Sequence, residues 1–116
     1  SVLYLTAFDL FDILREHEFF RKEEEDSFSH HLIFDCDLLI IDDLGTELTN
    51  SFVSSQFFQC VNERILDQKS TVISTNLTLA GIGDTYSERT LSRILSCYTM
   101  VPLFGDDIRD EKAFRS

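Results

Sequence analysis

Glycine is scarce in this chain of 116 residues, with four copies at 45, 81, 83 and 105. None opens a G-x-x-x-x-G-K-[ST] loop, so the sequence holds no backbone cradle of that kind for a polyphosphate. No apolar run approaches the length that crosses a bilayer, which leaves no candidate membrane segment. The cysteines, Cys36, Cys60 and Cys97, are odd in number, widely spaced and without a C-x-x-C pair. That argues against a disulfide framework and against a zinc site. Each lies beside or within an apolar stretch, where a free thiol behaves as a small core residue, and a reducing cytoplasmic setting fits. His17, His30 and His31 show no ligand-type spacing and read as structural or surface positions. Basic residues are few: ten Lys and Arg against 21 Asp and Glu give a net charge of −11. A chain this acidic repels phosphate backbones and is not expected to bind nucleic acid through charge. Much of the excess lies in Glu23-Glu24-Glu25-Asp26 and in the pairs Asp106-Asp107 and Asp110-Glu111, expected as solvated loops or faces. Ser1-Val2-Leu3-Tyr4 has no basic n-region or cleavage signal, so nothing indicates export. It reads as a strand that begins abruptly, as if cut from something longer.

Hydrophobic residues make up 43% of the chain, enough for one small core. The most informative stretch is Leu38-Leu39-Ile40-Ile41-Asp42-Asp43-Leu44-Gly45. Its apolar run fits a strand buried on both faces, the habit of a parallel sheet covered by helices. Two carboxylates follow at the strand's exit, the edge of open α/β sheets where ligands bind. Acids placed there point to a magnesium ion and a phosphate. The plainer alternative is a solvated turn before Gly45.

Around this strand the pattern alternates. Strands are expected at 2–5, 38–42, 71–75 and 98–104. A helix capped by Thr6 carries Ala7, Leu10, Phe11 and Leu14 to about His17; 21–29 reads as a polar loop or a frayed helix end. A second helix carries the stripe Val53, Phe57, Cys60, Val61 and Ile65. One or two turns are expected near 78–83, and a helix over 88–97 with Leu91, Ile94 and Leu95 inward. Pro102 places the last strand at an edge or a bulge. The tail from Asp106 shows only weak periodicity. This β-α-β-α-β-α-β order predicts an α/β fold, a three-layer parallel sheet with flanking helices formed by right-handed crossovers.

Three features could share one chemistry. Asp42 and Asp43 end one buried strand, Asn76 ends the next in Ser74-Thr75-Asn76, and Arg89 and Arg93 lie four apart in Glu88-Arg89-Thr90-Leu91-Ser92-Arg93. In nucleotide hydrolysis an acid holds magnesium, a second acid or polar group orients water, and an arginine stabilises the transferring phosphoryl.

The ordered set resembles the AAA+ ATPases, specifically the bacterial replicative helicase loaders of the DnaC/DnaI type and the related IstB transposition helpers. Asp37 to Glu47 would be the Walker B strand, with Asn62-Glu63-Arg64 in the helix after it. Ser74-Thr75-Asn76 would be sensor 1, 88–93 the arginine-finger region, and Phe104 to Arg109 the terminal strand and tail. The resemblance implies that Asp42 binds magnesium through its water shell and Asp43 takes the catalytic-base position. Asn76 would be the sensor, and Arg93, or Arg89, would reach a neighbouring subunit's nucleotide. It implies ATP and Mg²⁺ as cofactors, a homo-oligomer, and a replicative helicase and single-stranded DNA as partners of a parent protein. The phosphate loop and its strand are absent from the sequence, so an incomplete core is expected that does not bind ATP alone. In the family that strand lies between the one ending at Asn76 and the last strand, so a gap or pairing with another chain is expected there. A phosphoacceptor receiver domain is the alternative of another class, with Asp42 and Thr75 in its roles. Such domains need an acid pair after the first strand and a Lys after the last, and this sequence has neither.

Overall fold

The computed structural model describes residues 1–19, 24–45, 50–104 and 110–115. The elements in chain order are β1 (Val2–Thr6), α1 (Ala7–Phe19), α2 (Glu24–Asp35), β2 (Leu38–Leu44) and α3 (Ser51–Leu66). Then follow β3 (Ser70–Thr75), α4 (Leu79–Thr85), α5 (Glu88–Cys97), β4 (Thr99–Phe104) and β5 (Asp110–Arg115). One five-stranded sheet has the order β1-β2-β3-β5-β4. β1, β2 and β3 are parallel, whereas β5 is antiparallel to both β3 and β4. Two antiparallel steps return β4 to the direction of β3. The chain is thus an α/β protein with a three-strand parallel sheet flanked by helices.

Helix starts follow local chemistry. Thr6, Asn50, Thr78 and Ser87 each accept a hydrogen bond from the backbone N–H three residues on, at 2.9–3.1 Å. Each satisfies one of the amides that a first turn leaves orphaned. Behind the caps, Ala7, Leu10, Phe11 and Leu14 of α1 and Val53, Phe57, Cys60 and Val61 of α3 are buried together. Phe11, Phe57 and Tyr86 meet with centroids 5.1–5.8 Å apart, joining α1, α3 and the end of α4 in one aromatic cluster.

The expected burial of the sheet on both faces is met on one. Leu39, Ile41, Thr71 and Ile73 are buried against the helices. On the other face Leu38, Ile40 and Val72 are only half-buried, and Val2 and Tyr4 are exposed. A parallel sheet with two helix layers would cover both.

Two further expectations are refined and two corrected. The polar stretch before β2, read as a loop or a frayed helix end, belongs from Glu24 onward to a three-turn helix of its own, α2. Leu95 does not point inward; it is 54% exposed, and Thr90 and Ile94 form the buried side of α5. Asp110-Glu111, expected in a solvated loop or face, begins strand β5. The slot between β3 and the last long strand is neither a gap nor filled by another chain, because β5 lies in it. Pro102 does sit in an edge strand, β4. Residues 106–107 fall outside the described residues.

Candidate functional site

The parallel strands β1, β2 and β3 finish at one edge of the sheet, and β2 is irregular there. Its register with β3 runs evenly to Ile41↔Ile73, then shifts so that Leu44 faces Thr75. One extra residue is thereby inserted, a bulge. The extra residue returns Leu44 to the buried face that Leu39 and Ile41 occupy. Asp43 takes up the turn with φ of 64°, a left-handed conformation unusual for a residue with a Cβ. Gly45 follows at φ 111°, where a Cβ would stand 2.6 Å from Cγ of Leu77. Only glycine satisfies both demands. The Asp-Asp-Leu-Gly segment is therefore a shaped terminus, and strained backbone of this kind clusters at functional sites.

Asp42 is the centre of the edge. The Ser74 hydroxyl donates to its Oδ1 at 2.5 Å, and the Tyr4 hydroxyl donates to its Oδ2 at 2.5 Å. Ser74 Oγ also accepts from the Asp43 amide at 2.9 Å, so one hydroxyl bridges both acids. The next residue does the same work one step on: the Thr75 hydroxyl donates to the Leu44 carbonyl at 2.6 Å and accepts from the Leu77 amide at 3.0 Å. The hydrogen bond from Ser74, then that from Tyr4, hold the Asp42 carboxyl below the usual carboxylate range. The same contact with Asp42 pushes the Tyr4 phenol up. Asp42 is an ionised, oriented carboxylate, half-exposed at a strand end; Asp43 beside it is exposed.

Asn76 directly follows β3 and is exposed. The β3 side chain that reaches Asp42 is Ser74, two residues earlier. The arginines are placed differently from one another. Arg89 lies over the Phe58 ring, 4.2 Å from its centroid, a cation–π contact that tethers it to α3. Arg93 is partly buried, and its Nε is buried with no hydrogen-bond partner among the described residues. A cleft of about 450 Å³ lies between the starts of α3 and α5, lined by Asn50, Ser54, Tyr86, Ser87 and Arg89 among others.

Sequence reasoning missed Tyr4 and Ser74 as partners of Asp42. The register supplies the reason: Thr6 pairs with Asp42, and Tyr4, two residues back, lies on the same face. It also left Arg64 without a role. Arg64 is fully buried at the opposite edge of the sheet. Its Nε donates to Thr71 Oγ1 at 2.9 Å and its Nη2 to the Ser70 carbonyl at 2.7 Å. Its Nη1 reaches the carbonyls of Ile33 and Phe34 at 3.0 and 3.2 Å and the Cys36 thiol at 3.5 Å. Ile33 and Phe34 lie in the last turn of α2, whose carbonyls lack helical partners and carry the negative end of the helix dipole. The signal was available: Arg64 falls four residues after Cys60 and seven after Phe57, on the buried face of α3. Nearby, burial pushes the Cys60 thiol up to about 12, so it is an inert core group.

A magnesium ion suits the residues at the Asp42 edge. It takes one or two carboxylates and keeps several waters. Each Asp42 oxygen accepts a hydroxyl and retains acceptor capacity. Among the described residues no group of three or more His, Cys, Asp or Glu forms a ready-made metal cage. The sequence offers no phosphate loop for a triphosphate. No helix among the described residues is long and apolar enough to cross a membrane. No protein-family model, curated protein or solved structure matches the chain.

Proposed function

We propose that this chain is the magnesium-bearing part of an ATPase core of AAA+ type, resembling the bacterial replicative helicase loaders, with the IstB transposition helpers as the near variant. One observation carries the reading: an ionised carboxylate, Asp42, is fixed by two hydroxyls at the carboxyl end of a buried parallel strand, beside the strained Asp43. That is where an open α/β sheet presents a ligand. In this reading Asp42 holds magnesium through water, Asp43 occupies the base position and Asn76 is the sensor. Arg93, with Arg89 second, serves a neighbouring copy's nucleotide in a homo-oligomer. A replicative helicase and single-stranded DNA would be partners of the working assembly. Magnesium supplies charge neutralisation for a phosphate; the residues here orient it. Thr75, which the receiver alternative needs beside Asp42, is buried with its hydroxyl donated to Leu44.

Manganese is a spectroscopic stand-in for magnesium. Titrated into ¹⁵N-labelled protein, Mn²⁺ should broaden the amides of 42–43 and 74–76 first, and Asp42→Asn should abolish that pattern without unfolding the chain. Broadening centred elsewhere would remove the metal assignment. Mg-ATP calorimetry should show no site tighter than about 100 μM, roughly −5.5 kcal/mol; a tighter site would mean that the chain cradles a triphosphate by other means.

A further inference from the structure

Tyr4 stands on an edge strand and is 56% exposed, yet its hydroxyl is engaged with one atom, Oδ2 of Asp42, at 2.5 Å. Burial does not explain this residue, and its hydrogen bond crosses both a strand and the register. β1 and β2 pair with Tyr4 opposite Ile40 and Thr6 opposite Asp42. The direct neighbour of Asp42 is therefore Thr6, whose hydroxyl accepts the Asp9 amide at 3.1 Å as the cap of α1. Tyr4 lies two residues back on the same face. Two steps along a strand and one across put two Cα atoms about 8 Å apart. A serine or threonine would fall short of Asp42 from there; a phenol spans the diagonal. The other carboxyl oxygen, Oδ1, takes the Ser74 hydroxyl of β3 at 2.5 Å. Asp42 is thus gripped from the strand on either side, one hydroxyl to each oxygen.

That grip acts differently on different cations. Ca²⁺ ligates carboxylates directly, through one or both oxygens, whereas Mg²⁺ dehydrates reluctantly and keeps several waters. Two-oxygen ligation needs both oxygens of Asp42 turned to one ion, and it draws on charge already shared with two donors. A water-mediated ion needs only further acceptor capacity, which each oxygen retains. We propose that Tyr4 sets the ion preference of the Asp42 edge: its hydroxyl, with that of Ser74 on the other oxygen, disfavours direct ligation and so favours Mg²⁺ with its waters kept over Ca²⁺. Tyr4 is a positioning residue in this role, acting on the ion through Asp42. The proposal rests on the ATPase reading and adds to it the residue that selects the ion.

Mg²⁺ and Ca²⁺ titrated separately into the ¹⁵N-labelled chain at constant ionic strength, with amides 42–43 and 74–76 as the readout, test it. Wild type should prefer Mg²⁺. Tyr4→Phe keeps the ring and removes only the hydroxyl. It should tighten Ca²⁺ about fivefold, the scale of one exposed hydrogen bond, and change Mg²⁺ by less than about twofold. Val2→Ala, on the same face of β1, controls for a loosened strand and should leave the ratio where it is. Hexaamminecobalt(III), whose ligands do not exchange, can bind only without direct ligation, and it should shift the same amides as Mg²⁺ in wild type and in Tyr4→Phe. A wild type that prefers Ca²⁺, or a ratio unchanged in Tyr4→Phe, would overturn the proposal. So would an equal change in Val2→Ala, or hexaamminecobalt acting elsewhere than Mg²⁺. Where Mn²⁺ still broadens 42–43, those results leave the metal assignment standing; no ion acting at Asp42 removes both.

Discussion

Where β2 and β3 begin, one buried guanidinium ties α2, α3 and β3 together, and every contact is with a carbonyl, a hydroxyl or a thiol. Where they finish, two hydroxyls, one on exposed Tyr4 and one on half-buried Ser74, hold a carboxylate on a bulged, left-handed turn. At the first end the guanidinium is fully buried and satisfied, and the register is regular. The second is wet and strained, and its charge points outward. A scaffold that must present a carboxylate in fixed geometry needs its rigidity somewhere else, and here the rigidity sits at the far end of the same strands.

Breaking the Arg64 end should cost most. Arg64→Ala opens a large cavity and strips donors from several buried acceptors, so a loss of about 3–5 kcal/mol is expected in urea unfolding. Arg64→Lys should recover only part of this, because an ammonium cannot reproduce the planar fork. A loss under about 1 kcal/mol for Arg64→Ala would mean that the guanidinium is not what fixes that end.

Gly45→Ala comes next. Its φ of 111° and the approach to Leu77 oppose any Cβ, and a loss of about 2 kcal/mol or more is expected. Full stability would show that the turn relaxes freely.

Ser74→Ala should cost about 1 kcal/mol at neutral pH, at the low end for two hydrogen bonds because the site is half-exposed. It should also raise the Asp42 pKa, readable by carboxyl NMR. The sign follows from the depressed value: Asp42 contributes fully above its unfolded pKa, near 4, and its contribution is lost as pH falls through the lower folded value. The stability gap between wild type and Ser74→Ala should therefore be widest above about pH 5 and narrow toward pH 2. A gap independent of pH would mean that Ser74 acts through the Asp43 amide alone.

Asp43→Gly is the smallest effect and the sharpest contrast. Relief of the left-handed strain should leave stability unchanged or raise it by up to about 1 kcal/mol. In any assembly that hydrolyses ATP, Asp43→Asn should spare nucleotide binding and depress turnover roughly a hundredfold. A marked destabilisation by Asp43→Gly would assign the carboxylate a structural role.

The parallel strands and their order along the chain were legible because each is an apolar or β-branched run bounded by turn residues. So was the phase of α3, whose stripe of Val53, Phe57, Cys60 and Val61 is buried as its spacing requires. Asp42 and Asp43 were legible as a strand terminus, but not the bulge between them, since a register shift depends on the neighbouring strand. Ser74 and Tyr4 were hidden for the same reason: their contacts with Asp42 span 32 and 38 residues of sequence. β5 was illegible because its composition argues against its place, and α2 because few apolar residues mark it.

The Arg64 contacts also bear on how the chain reaches its folded state. They draw on residues 33–36 and 70–71, segments more than 30 residues apart, around a side chain from between them. A partly folded form that buries α3 against β3 before α2 arrives encloses a cation short of acceptors. One that docks α2 first leaves the carbonyls of its last turn without donors. Neither half-assembled form is comfortable, so the guanidinium couples the two dockings into one cooperative step.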